Sequence, residues 1–165
     1  MKKSIILFLS AALLTAGCSI FANTPEEDAA KSEEVAALLE CSEFTIDIDT
    51  ILPSRGMPIH DTGYFLTLKD GKVSSYLPFI GRSDVPVMGS DKAGIEFSNC
   101  PVELKTKKNK DQTEISFKAR SGNDDWNVTV LVWPSGKCSM TCRCSTRSII
   151  NYEGSVSALK EESTQ

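Results

Sequence analysis

The chain has 165 residues, a formal net charge of −4 and 41% hydrophobic residues. That length holds one domain around one core, and a composition this apolar excludes a chain disordered throughout. From Phe44 onward basic and acidic residues are equal in number, so the basic face that nucleic acid requires is missing and no nucleic-acid partner is expected.

The first residues read as an address. Lys2-Lys3 gives a positive start and Ile5 to Leu14 a short apolar stretch, well under the about 20 apolar residues that a spanning helix needs. The stretch closes on Leu14-Thr15-Ala16-Gly17-Cys18, whose small residues admit a peptidase. This string resembles the lipobox of bacterial lipoproteins. The resemblance implies that residues 1–17 are removed and that Cys18 is diacylated or triacylated. Each buried methylene adds about 0.8 kcal/mol and one chain binds only marginally, so two or three chains make a lasting anchor. Ser19 stands where many inner-membrane lipoproteins carry aspartate, which favours the outer membrane. The acidic residues begin only at Glu26, so the periplasmic face is preferred to the cell surface.

Residues 18–43 form an acidic tether: Glu26, Glu27, Asp28, Glu33, Glu34, Glu40 and Glu43 face the single base Lys31. Thr24-Pro25-Glu26-Glu27 has the residues of a helix start, with Thr24 as cap, Pro25 in the first turn and Glu27 closing a capping box. Ala29, Ala30, Val35, Ala36, Leu38 and Leu39 then give a thin apolar stripe, so a helix over about 25–40 is expected.

After Ser42 the period changes to two. Phe44, Ile46 and Ile48 alternate with Thr45, Asp47 and Asp49, which predicts a strand with one wet face. Tyr64 to Lys69 and Lys72 to Phe79 flank Asp70-Gly71, a strong hairpin signal. Val102 to Lys107 and Thr113 to Arg120 pair around Asn109-Lys110-Asp111, and Trp126 to Trp133 and Lys137 to Ser145 around Pro134-Ser135-Gly136. Ile149 to Tyr152 is a last short strand before Glu153-Gly154, with a further one through Val156 and a polar tail over 158–165. Residues 44–157 are therefore expected to form a mainly β domain: an antiparallel curled sheet or barrel-like fold of about eight strands, with one N-terminal helix. Sandwich and barrel remain open alternatives.

Gly81 to Gly94 breaks this rhythm as a long loop rich in Gly, Pro, Ser and Asp, and loops of that length are usually functional or disordered. With the apolar run before it, it forms the candidate contact surface: Tyr76, Phe79, Gly81, Arg82, Asp84 and Met88. The run Ser75-Tyr76-Leu77-Pro78-Phe79-Ile80-Gly81-Arg82, then Gly94-Ile95-Glu96-Phe97, resembles a family of small Bacteroidota lipoproteins, domain of unknown function 4251. Ile115-Ser116-Phe117-Lys118 and Ile149-Ile150-Asn151-Tyr152-Glu153-Gly154 carry the same likeness. It spans Phe44 to Val156 with the lipobox and helical arm, and implies a lipid-anchored, mostly β envelope domain. It brings no catalytic residues. The cysteines depart from that pattern, in which small or β-branched residues are expected.

Cys41, Cys100, Cys138, Cys142 and Cys144 lie beyond the anchor, and secretion permits disulfides among them. An odd number leaves at least one thiol over. On a strand, Cys138, Met140, Cys142 and Cys144 share one face. Neighbours two apart sit about 7 Å apart along the strand, at the limit for a bridge, so bridges to Cys41 or Cys100 are favoured. Three thiols suit a soft metal, yet no second pair of Cys or His completes a site, and core packing is the plainer use. No metal and no cofactor are expected. His60, the single histidine, falls in the turn Met57-Pro58-Ile59-His60-Asp61-Thr62-Gly63. It has no local cysteine partner, no Gly-x-Ser-x-Gly elbow and no phosphate loop nearby. Asp47/Asp49 and Asp124/Asp125 read as solvated pairs. Trp126 and Trp133 lie seven apart, so they face opposite sides and one at most is in the core. Asp49-Thr50-Ile51 resembles the O-glycosylation site of Bacteroidota.

The sequence thus predicts a non-catalytic, lipid-anchored binding or interaction domain whose partner is an envelope protein. One alternative is a carrier of an apolar small molecule in the sheet concavity. Another is an envelope enzyme using His60 or a free cysteine.

Overall fold

The computed structural model describes residues 25–82 and 94–159. The expected leader, Cys18, most of the contact loop with Asp84 and Met88, and the end of the tail lie outside the described residues. Helix α1 runs Pro25–Cys41 with Glu26, Glu27 and Asp28 in its first turn, where acidic groups complement the helix dipole. Its apolar stripe is narrower than the sequence suggests. Val35 and Leu39, one turn apart, are buried and Leu38 is half-buried, while Ala29, Ala30 and Ala36 face solvent. Ser42, at φ 55°, then turns the chain into the sheet.

Nine strands follow: β1 (Phe44–Pro53), β2 (Ile59–Lys69), β3 (Lys72–Leu77), β4 (Ile95–Pro101), β5 (Lys105–Lys108), β6 (Thr113–Ser121), β7 (Asp124–Val132), β8 (Lys137–Arg143) and β9 (Ile150–Ser157). They form one antiparallel sheet in the order β4-β3-β2-β1-β9-β8-β7-β6-β5, curled into a half-barrel. The curl brings β4 towards β6, where the Glu96 amide donates to Ser121 Oγ at 3.1 Å and the Cys100 thiol to the Arg120 carbonyl at 3.6 Å. A single curled sheet resolves the choice between sandwich and barrel. The concavity is filled by side chains, with Trp126, Tyr152, Phe44, Leu66, Leu77 and Met140 fully buried.

Several local features depart from the sequence pattern, each for a physical reason. In β1 the register slips between Ile48 and Thr50, so Asp49 is an extra residue and the inward set runs Phe44, Ile46, Ile48, then Ile51. The expected turn around His60 is the first half of β2. Residues 59–63 are all exposed, with Ile59 and His60 paired to β1, so they leave no periodic trace. β4 is a further strand that only Ile95 and Phe97 advertise by burial. The strand expected over Val102 to Lys107 begins at Lys105, and β9 runs unbroken through Gly154. A Cβ at Gly154 would collide with the Asp47 carbonyl and the Ile48 Cα, so this glycine lets β1 and β9 approach closely.

The half-barrel has two ends. At one, α1 lies beside the β5–β6 and β7–β8 turns, with Val35 and Leu39 near Val132, Trp133 and Pro134. At the other, the chain leaving β3 crosses to the β8–β9 link.

Candidate functional site

The crossing segment is Leu77-Pro78-Phe79-Ile80-Gly81-Arg82, here called the strap. Tyr152, on the inner face of β9, donates its hydroxyl to the Pro78 carbonyl at 2.7 Å. Phe79 then meets Trp126 of β7 edge to face, with ring centroids 5.9 Å apart. Arg82 closes the crossing with two bonds to the β8–β9 link. Its amide donates to Ser148 Oγ at 3.0 Å and its carbonyl accepts from the Ser148 amide at 2.9 Å. A Cβ on Gly81 would strike Ser148 Oγ and come within 2.9 Å of the Phe79 ring, so glycine permits this contact.

Beneath the strap lies an ion pair. Asp124 opens β7 on the same face as Trp126, and both are buried. Arg147 Nε reaches Asp124 Oδ2 at 2.8 Å, with the two side chains only 13% and 11% exposed. Thr146 donates its hydroxyl to Asp124 Oδ1 at 2.6 Å, so both carboxylate oxygens are occupied. The guanidinium also stands 5.2 Å from the Phe79 ring centroid and 5.8 Å from that of Trp126. Cys144 accepts the Thr146 amide at 3.4 Å and touches its hydroxyl at 2.9 Å. No buried side-chain nitrogen or oxygen among the described residues lacks a hydrogen-bond partner. Physically the cluster is a latch for the strap.

The structure gathers only part of the predicted contact set. Phe79, Gly81 and Arg82 lie on the strap. Tyr76 points elsewhere, 52% exposed, opposite Phe65 across the β2–β3 ladder and 5.9 Å from the Tyr64 ring. The Tyr64 phenol is pushed above its ordinary value of 10.0, first by the hydrogen bond it donates to Asp61. Asp124, read from sequence as solvated, is buried, and the signal available was its spacing of two from Trp126. Arg147 and Thr146 gave none. Asp125 is solvated as expected, 3.7 Å from Arg120. Trp133 is half-buried beyond the end of β7.

All five described thiols are free. Cys138 and Cys142 face the core as the alternation predicts, whereas Cys144 lies past the end of β8. Burial, then the charges of Asp49 and Asp47, pushes the Cys138 thiol up to about 12, and burial alone drives Cys142 higher. Both are protonated, inert core groups at neutral pH. No cluster of His, Cys, Asp or Glu able to hold a metal occurs among the described residues. His60 Nδ1 lies 3.1 Å from Thr50 Oγ1, and that hydroxyl also donates to Asp49 at 2.7 Å. Thr50 is therefore buried and bonded, which is unsuited to carrying a sugar in the folded chain.

A family model for a domain of unknown function, DUF4251, matches residues 26–156. The chain belongs to the DUF4251 family. A crystal structure of a DUF4251 protein from Bacteroides eggerthii superposes with a TM-score of 0.58 at 14% identity, covering 79% of this chain and 89% of that one. At that identity the likeness speaks to the fold. No curated protein matches the chain. The residues that first suggested DUF4251, Tyr76 to Arg82, now have a physical role from Pro78 to Arg82: they close one end of the half-barrel.

Proposed function

We propose that this DUF4251 chain is a non-catalytic domain, anchored through Cys18 at the periplasmic face of the outer membrane, that binds an envelope protein at its strap end. The observation that carries this reading is the exposed apolar rim there. Met57 is 82% exposed, Ile149 42%, and Ile59 and Ile80 39% each. Apolar side chains grouped in this way mark interaction sites on soluble proteins. Charge composition supports the same end. All five arginines, Arg55, Arg82, Arg120, Arg143 and Arg147, belong to it, together with Lys118 in the row of Arg143, while Lys69, Lys72, Lys107, Lys108, Lys110 and Lys137 surround the helix end. Arginine is enriched and lysine depleted in protein interfaces.

The alternatives draw less support. A carrier needs a hollow, whereas the concavity is packed and the larger described grooves lie outside it. One of about 680 Å³ runs between α1 and the strands around Lys137 and Glu153. For an enzyme using His60, the ring's one hydrogen-bond partner among the described residues is Thr50.

The test is site-specific photo-crosslinking in the intact, anchored protein, with a Cys18→Ala copy as the unanchored control. A crosslinker at Met57 or Ile149 is expected to capture one discrete partner, and the same group at Lys69 or Lys107 none. Equal labelling at both ends would sink the proposal.

A further inference from the structure

The β8–β9 link brings together three arginines that the latch does not use. Ile150 pairs with Cys142 of β8 on one side and with Pro53 of β1 on the other. Arg143 directly follows Cys142, and Arg55 lies two residues beyond Pro53. Arg82 is bonded through its backbone to Ser148, the residue before Ile149. Paired strands lie about 4.8 Å apart, so all three arginines start within a few residues of Ile149. Each is exposed, and none makes an ion pair or a side-chain hydrogen bond among the described residues.

The acids of this end are largely engaged. Asp124 is held by Arg147 and Thr146, Asp125 faces Arg120, and Asp61 accepts the Thr62 amide and the Tyr64 hydroxyl. Glu96 sits on β4, across the mouth from the β8–β9 link. The result is an apolar centre, Ile149 with Ile80 and Met57, bordered by three guanidinium groups that no acid among the described residues pairs.

Resting on the reading that the strap end binds a partner, we infer that Arg55, Arg82 and Arg143 around Ile149 form a docking patch for an acidic polypeptide segment carrying apolar side chains. The planar guanidinium fork matches a carboxylate in two parallel hydrogen bonds, which an ammonium cannot. A purely anionic polysaccharide would leave Ile149, Ile80 and Met57 uncovered. An anionic bilayer would cover both kinds of group, and vesicle binding is the outcome that tells it from a peptide.

The experiment is selection of a displayed random-peptide library on the full-length lipidated chain in detergent. Enriched peptides are expected to combine glutamate or aspartate with apolar residues and to bind more weakly as salt rises. Binding should fall about tenfold in the Arg55→Glu/Arg82→Glu/Arg143→Glu variant and less in the corresponding lysine triple. Arg143→Glu alone, with its fold checked by circular dichroism, should lose about threefold and keeps the test open if the triple misfolds. Enrichment without acidic residues, undiminished binding by the glutamate variants, or binding of the unlipidated Cys18→Ala copy to phosphatidylglycerol vesicles in place of peptides would overturn the inference. Crosslinks at Ile149 that persist in the triple variant would remove this charge assignment and leave the strap-end reading standing. Absence of any rim-specific crosslink in the chain with all three arginines intact would remove both.

Discussion

Each end of the half-barrel is closed by a segment outside the sheet, and each closure carries an ion pair with an N–O separation of 2.8 Å. At the helix end Lys108 and Glu40 are 59% and 65% exposed, and at the strap end Arg147 and Asp124 are 13% and 11% exposed. Distance alone would rank the pairs equal. Burial separates them. The exposed pair trades water for a partner at little gain, while the enclosed one must be satisfied in full or it destabilises the fold. The same contrast holds for the closures themselves. Helix α1 is seated by two apolar side chains, whereas the strap is tied by hydrogen bonds, stacked rings and a charge pair.

Arg147→Ala should break this comparison most visibly. It leaves the Asp124 carboxylate enclosed without its cation and removes the group packed against Phe79 and Trp126. A loss of about 3–5 kcal/mol is expected in urea denaturation followed by tryptophan fluorescence. Arg120→Ala, opposite the exposed Asp125, should change little. If the two variants lose the same stability, enclosure is not what distinguishes the latch. Asp124→Asn added to Arg147→Ala should recover part of the loss, because the stranded charge goes with it.

Leu39→Ala probes the other closure and should cost about 2–3 kcal/mol, with the strap's protection from protease unchanged. A loss under about 0.5 kcal/mol would make α1 a tether that merely rests against the sheet rather than a closure of it.

These two closures were unequally legible in the sequence. The helix start at Pro25 and the hairpin at Asp70-Gly71 are local chemistry. Both turn residues take positive φ, 51° and 68°, as the dipeptide predicts. Alternation likewise identified the inward faces of β1 and β8. The latch is not local. Asp124 and Arg147 meet only because β7, β8 and β9 are neighbours, and two adjacent aspartates read as solvated until one shares a face with a buried tryptophan. Residues 59–63 of β2 and most of β4 do not bury alternate side chains, so no period betrays them. The Tyr76–Arg82 block was conspicuous as a string, but its role depended on Tyr152 and Ser148, far along the chain.

The smallest expected effect tests the helix end. The hydrogen bond from Lys108, and then its charge, holds the Glu40 carboxyl below its ordinary 4.5, with a slight opposing push from burial. A depressed folded-state value contributes stability above the unfolded value, lost as pH falls through the folded one. Glu40 is exposed, so solvent screens that contribution. Lys108→Ala should therefore raise the Glu40 titration midpoint towards 4.5 in carboxyl NMR while leaving the urea midpoint at neutral pH where it was. A destabilisation approaching that of Arg147→Ala would show that burial is not what makes the two ion pairs differ. An unmoved midpoint beside a shifted titration would show that a 2.8 Å ion pair can be fully formed and still hold nothing together.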